Sequence, residues 1–131
     1  SVGKWTNLNE NDANEKLKNY NNNDEIRIKT KLKLSHATSA GIYLFGQRIL
    51  DYDMNYNLVN GVFYSPEDMT SMEISADIYI DRTSIEVFID GGAYSYSLER
   101  KPDPKNAEGL HFWGNTIEVK DLEVYTVKSI W

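Results

Sequence analysis

The chain has 131 residues, which suits one domain with a real core and is short for two. Its 40% hydrophobic and 26% charged fractions are ordinary for a globular protein, while a net charge of −6 argues against nucleic acid or an anionic membrane surface as partner. The absence of cysteine excludes disulfides, thiolate metal sites and cysteine nucleophiles together, and no apolar run approaches the roughly 20 residues of a membrane span. A neutral polymer remains a compatible partner.

No leader-like segment opens the chain, and Ser1-Val2-Gly3 is compatible with excision from a longer protein. Residues 1–24 are predicted to form a loop-rich opening segment with one short strand around Trp5. They end in Asn21-Asn22-Asn23-Asp24 and read as too polar for a core helix. From Glu25 to Leu34 the pattern alternates. Ile26, Ile28, Leu32 and Leu34 fall on one face, and Arg27, Lys29, Lys31 and Lys33 on the other, as in a half-buried antiparallel strand. Ala40–Arg48 and Ile49–Asp53 are predicted as the next two strands, with a turn at Asn55-Tyr56-Asn57 and a return strand from Leu58 to Tyr64.

Met72–Ile80 again alternates, with Met72, Ile74, Ala76, Ile78 and Ile80 inward. Ser84–Ile89 and Ala93–Leu98 flank the hairpin signal Asp90-Gly91-Gly92. Leu110–Trp113 and Ile117–Val127 close the chain. About nine or ten short strands at turn-rich spacing, with no convincing helix, predict an all-β fold. We expect one domain, residues 1–131, built as a two-sheet antiparallel β-sandwich of jelly-roll or concanavalin-like type.

Strand parity selects candidate binding residues. Ile85 and Val87 point inward, so Arg82, Ser84, Glu86 and Phe88 share the opposite face. Leu110 and Phe112 point inward, so His111 and Trp113 look outward, and Tyr43 and Gln47 oppose Ile42 and Leu44. If these strands are neighbours, Tyr43, Gln47, Arg82, Glu86, His111 and Trp113 share one surface. Aromatic faces beside carboxylate, guanidinium and amide groups suit a sugar ring and its hydroxyls. Arg48, Tyr52 and Asp53 are expected at the rim. Each has a plainer role. Glu86 and Arg82 can pair with each other, Trp113 can plug an edge beside Gly114, and His111 reads as an ordinary surface histidine. Tyr43 and Gln47 rest on parity alone, and Phe45 and Phe88 are expected to pack under loops.

Asp51, Asp53, Asn55 and Asn57 imitate the spacing of a calcium loop. Tyr56 stands where that loop needs glycine, and Val62 where it needs glutamate. No metal and no cofactor is expected. No phosphate loop, Ser-His-Asp order or zinc spacing is visible.

The segment IDRTSIEVFIDGG, Ile80 to Gly92, resembles the final-domain signature of glycoside hydrolase family 32, the invertases, levanases and inulinases. The closing stretch LEVYTVKSIW, Leu122 to Trp131, is similar to the end of those enzymes. The family's catalytic propeller motifs are missing: the Trp-Met-Asn-Asp-Pro-Asn-Gly stretch, the Arg-Asp-Pro triplet and the Glu-Cys pair. Arg100 is separated from Asp103-Pro104. The resemblance is thus to the C-terminal sandwich alone, of the carbohydrate-binding module family 66 type. It implies a non-catalytic domain that binds fructosyl units, terminal ones, of fructans such as levan. It also implies an extracellular bacterial setting and an attached fructan hydrolase whose propeller is the protein partner. The resemblance equally allows a structural sandwich that only packs on and stabilises that propeller. A sandwich lectin for another sugar would share the fold without the Ile80–Phe88 segment.

Overall fold

The computed structural model describes residues 2–34, 39–65, 72–101, 103, 105, 108–114 and 117–126. In chain order they form β1 (Val2–Asn9), α1 (Glu10–Leu17), a 3-10 turn (Lys18–Tyr20), β2 (Ile26–Leu34), β3 (Ser39–Leu44), β4 (Gln47–Asp53), β5 (Leu58–Val59) and β6 (Val62–Phe63). These are followed by β7 (Glu73–Ile80), β8 (Ser84–Ile89), a 3-10 turn (Asp90–Gly92), β9 (Tyr94–Glu99), β10 (Leu110–Gly114) and β11 (Ile117–Thr126).

The strands make two antiparallel sheets, as the alternation requires. One has the order β1-β11-β2-β7-β8-β9 and the other β10-β3-β4-β5-β6. The inward sets of β2, β7, β8 and β11 are buried almost without exception, and with Ile42, Leu50 and Phe112 of the second sheet they form one core. Among the described residues Thr30 is the buried polar residue of that core. Its hydroxyl donates to the Asp121 carbonyl at 2.7 Å, so it enters the core without an orphaned group.

The opening segment is more ordered than its polarity predicts. Its first eight described residues pair with β11, Val2 opposite Tyr125 and Asn9 opposite Glu118. Residues 10–17 form a helix, which corrects the expectation of loop. The Asn9 side chain caps it by accepting from the Asp12 amide at 2.7 Å. Ala13 and Leu17, four apart, supply a narrow apolar stripe that is fully buried. Two apolar residues suffice because the helix only has to close the side of the sandwich between the edge strands β1 and β10. There the Asn14 side chain accepts from Phe112 N at 2.6 Å and donates to Phe112 O at 3.0 Å, and Asn21 accepts from Leu110 N at 3.0 Å. The free edge of β10 is thereby satisfied.

Four further expectations change. The return strand Leu58–Tyr64 is split into β5 and β6 by a turn at Asn60-Gly61, with φ of 50° and 83°. Tyr52, expected at the rim of the site, is buried in the core. The run Ala40–Arg48 is broken by a hairpin turn at Phe45-Gly46, both left-handed, with φ of 45° and 82°. Met72 is exposed rather than inward, because its φ of 56° takes it out of the strand alternation that starts at Glu73.

Candidate functional site

The outer face of the six-stranded sheet carries a groove of about 870 Å³ across β11, β2, β7 and β8. Its lining follows from strand register. One cross-strand row reads Glu123, Lys29, Asp77 and Phe88, and the next reads Tyr125, Arg27, Tyr79 and Glu86, of which Tyr79 and Glu86 line the groove. Arg27 is fixed by Asp77 in a two-pronged bond, Nε to Oδ1 at 3.0 Å and Nη2 to Oδ2 at 2.8 Å. Its guanidinium also lies over Tyr79, 4.7 Å from the ring centroid. The Asp77 bond holds Arg27 even more firmly protonated than usual. Tyr79 and Phe88 meet edge to face, with centroids 6.0 Å apart at 85°. At the β11 side Tyr125 donates to Glu123 at 2.6 Å, which lowers the Glu123 pKa and raises that of Tyr125.

Within this ordered frame Glu86, Lys31 and Asp121 line the groove and form no ion pair among the described residues. Carboxylates that accept, ammonium groups that donate and two aromatic edges are what a polyhydroxy ligand needs. Among the described residues no group of three or more His, Cys, Asp or Glu is placed to hold a metal ion.

The predicted site residues do not share one surface. β8 lies between β7 and β9, so Glu86 belongs to the six-stranded sheet. Arg82, exposed in the β7–β8 turn, faces Asp24 with Nε 3.9 Å from Oδ2; its ion-pair partner is Asp24 and not Glu86. Tyr43 and Trp113 lie on the outer face of the other sheet, on the opposite side of the sandwich. There Tyr43 sits opposite His111, and Gly41 opposite Trp113. The Tyr43 and Trp113 rings meet edge to face at 5.7 Å, and Tyr43 lies 6.0 Å from His111. His111 is engaged by the Gly109 carbonyl at 2.9 Å and by Glu108 at 3.3 Å. The Trp113 indole N–H is buried with no hydrogen-bond partner among the described residues.

Arg48 joins this second face. A bulge at Ile49, with Ile42 opposite Leu50 and Tyr43 opposite Arg48, brings Arg48 and Asp51 to the same side, where they pair at 3.7 Å. Strict alternation would have separated them. Gly41 is required here, since a Cβ would come within 1.8 Å of the Leu50 carbonyl oxygen. Burial raises the Asp51 pKa against the pull of Arg48.

Gln47 and Asp53 are used by the fold. The Gln47 amide donates to the Glu99 carbonyl and accepts from Lys101 N, both at 2.7 Å, tying β4 to the end of β9. Asp53 accepts from the amides of Asn55 at 3.0 Å and Tyr56 at 3.4 Å, which shapes the turn expected there. Phe88, expected under a loop, instead lines the groove. Lys29, Lys31, Asp77 and Tyr79 were the residues parity left out. Each lies on the outward side of its strand, but nothing in the local pattern says that β2, β7 and β8 are neighbours.

The family model described as the C-terminal part of the glycosyl hydrolases of family 32 matches residues 2–126. No curated protein matches the sequence. Among solved structures, the chain is similar to sucrose-6-phosphate hydrolase from Lactobacillus gasseri, with a TM-score of 0.58, 13% identity, and coverage of 100% of this chain and 29% of that one. It is similar to exo-inulinase from Aspergillus awamori, with a TM-score of 0.57, 15% identity, and coverage of 95% and 28%. It also resembles the Caenorhabditis elegans galectin LEC-6, with a TM-score of 0.51, 14% identity, and coverage of 79% and 84%. At these identities the likeness is one of fold, and the chain spans less than a third of either enzyme. The matched module is the non-catalytic part of family 32 enzymes. With the family model covering nearly every residue of a two-sheet sandwich, the chain belongs to the C-terminal β-sandwich domains of glycoside hydrolase family 32.

Proposed function

We propose that this domain is a non-catalytic carbohydrate-binding module that holds fructosyl units of a fructan such as levan in the groove of the six-stranded sheet. It would bring an attached fructan hydrolase to its polymer, outside the cell. The observation that carries this is the groove itself, about 870 Å³, with Glu86 unpaired in it beside the Tyr79–Phe88 pair. Further support comes from the Ile80–Gly92 segment, which contributes Glu86 and Phe88. A shallow wet site gives weak affinity for one unit, and tethering to a catalytic domain converts it into useful avidity.

A second reading, a sandwich that only packs on a propeller, is favoured by one observation. Tyr56, Val62 and Phe63 are 69%, 50% and 75% exposed around the edge strand β6. Titration calorimetry with levan, inulin, sucrose and fructose separates the two. Saturable binding to a fructan is expected, weakened roughly tenfold or more by Glu86→Ala and unaffected by Trp113→Ala. Loss on Trp113→Ala alone would move the site to the Tyr43–Trp113 face. No heat with any fructan would favour the packing role.

A further inference from the structure

We propose that Lys29 is a ligand-hydroxyl donor of the groove, and that Arg27 is the positioning residue that keeps it available; this rests on the carbohydrate-binding reading above. In its cross-strand row Lys29 of β2 stands between two carboxylates, Glu123 of β11 and Asp77 of β7. Opposite charges placed directly across antiparallel strands attract, and such pairs stabilise a sheet. Lys29 is nevertheless exposed, lines the groove and forms no ion pair among the described residues.

Both neighbouring carboxylates are engaged by other groups. Arg27 reaches Asp77 diagonally and donates to both of its oxygens, at 3.0 and 2.8 Å. A planar guanidinium fork matches a carboxylate better than an ammonium does, and it neutralises the charge that would draw Lys29. Arg27 is itself held from two sides, 4.7 Å over the Tyr79 ring and 5.7 Å from that of Tyr125. On the other flank Glu123 accepts from the Tyr125 hydroxyl at 2.6 Å and lies 3.5 Å from Lys4. Lys29 acts on it only through space. Tyr125 thus serves both flanks, its ring beside Arg27 and its hydroxyl on Glu123. Lys31, two positions along the same face, gives the contrast. It stands opposite Asp121, whose carboxylate nothing among the described residues engages, so nothing holds that pair apart.

An ammonium kept out of ion pairs has three N–H donors to offer and accepts nothing. Glu86 on β8 is its counterpart, an acceptor only. The two strands are separated by β7, so Lys29 and Glu86 stand about 10 Å apart across the sheet, with the Tyr79–Phe88 pair among them. A sugar on those rings meets a donor on one side and an acceptor on the other, which its hydroxyls, each both donor and acceptor, can satisfy together. Arg27 does not line the groove, so it acts through Asp77 and not on the ligand.

The test is calorimetry of this domain with levan and inulin, each variant being measured below its own melting transition. Lys29→Met, at an exposed position, should weaken binding roughly tenfold or more. Arg27→Met keeps the apolar stem but bares Asp77 directly across from Lys29, so the two pair and binding should fall by a similar factor. Adding Asp77→Asn to Arg27→Met removes the carboxylate that captures Lys29 and should restore most of the affinity. A merely structural Arg27–Asp77 pair predicts no such rescue, because the second substitution leaves the damage of the first in place. Undiminished binding by Lys29→Met would overturn the donor role, and that variant tests it even if Arg27→Met does not fold. A double variant as weak as Arg27→Met would overturn the positioning role. Either result leaves carbohydrate binding intact. No binding of levan or inulin by the unaltered domain would overturn the carbohydrate reading, and this assignment with it.

Discussion

Glu10 shows at one side chain how competing effects settle. It opens α1, where the helix dipole favours a negative charge, and His111 pulls the same way. Burial wins: Oε1 is buried with no hydrogen-bond partner among the described residues, and the pKa is raised above 4.5. A raised carboxyl pKa means that the folded state prefers the protonated form. The stability tied to it is complete below the unfolded value of 4.5 and is lost as pH rises through the folded value. Glu10→Gln should therefore raise Tm by a few degrees at neutral pH, and the gain should vanish in thermal melts below pH 4.5. A gain that stays the same in acid would place its cause elsewhere. Glu123 has the opposite sign. Its bond from Tyr125 lowers its pKa, so the stability is present above 4.5 and lost as pH falls through the folded value.

At the scale of elements, α1 and the bulge in β4 matter most. The helix is held less by burial than by position. Asn14 gives the edge strand β10 the donor and acceptor that a neighbouring strand would otherwise provide. Asn14→Ala removes both and leaves Phe112 N and O unsatisfied at a partly buried edge, at a cost of about 1–3 kcal/mol. Urea unfolding would measure it, and a change within about 0.5 kcal/mol would mean that water replaces the amide. The signals for α1 are in the sequence: Asn9 as cap, acids in the first turn, Lys16 in the last, and Ala13 and Leu17 on one stripe. They are easily overlooked because mean polarity over the window is high, whereas only two positions meet the core. Likewise the Phe45-Gly46 turn carries a phenylalanine at φ 45°, a residue type that does not announce a left-handed position.

For the whole molecule, two sheets have four sides to close. α1 fills the side between β1 and β10. On the opposite side Tyr96 donates to the Ile49 carbonyl at 2.8 Å, and Tyr64 stacks on Tyr94 at 5.5 Å while donating to Asp90 at 2.6 Å. Burial pushes the Tyr96 hydroxyl far above the usual phenol range, so it stays a donor at any working pH. With the sides closed by these groups, the two outer faces are separate surfaces. Glu86→Ala and Trp113→Ala should then act independently. A double-mutant cycle in unfolding free energy should give a coupling within about 0.5 kcal/mol. A coupling well beyond that would mean that the core transmits between the faces.

The sequence alone determined the inward set of nearly every strand, hence the sandwich class, because burial with a period of two is a local property readable from Ile26 to Leu34 or Ile85 to Ile89. It also carried the Ile80–Gly92 segment, on which the family resemblance rests. Only the tertiary structure decided which outward residues meet. Alternation separates the two faces of a strand and leaves its neighbours open. Glu86 can thus be paired on paper with Trp113, whereas its cross-strand partner is Tyr79, which parity along one strand does not reveal. The first strand pairs with the last, and β11 lies between β1 and β2. Such long-range pairings are chosen by the closing of one shared core, which no single window of sequence contains.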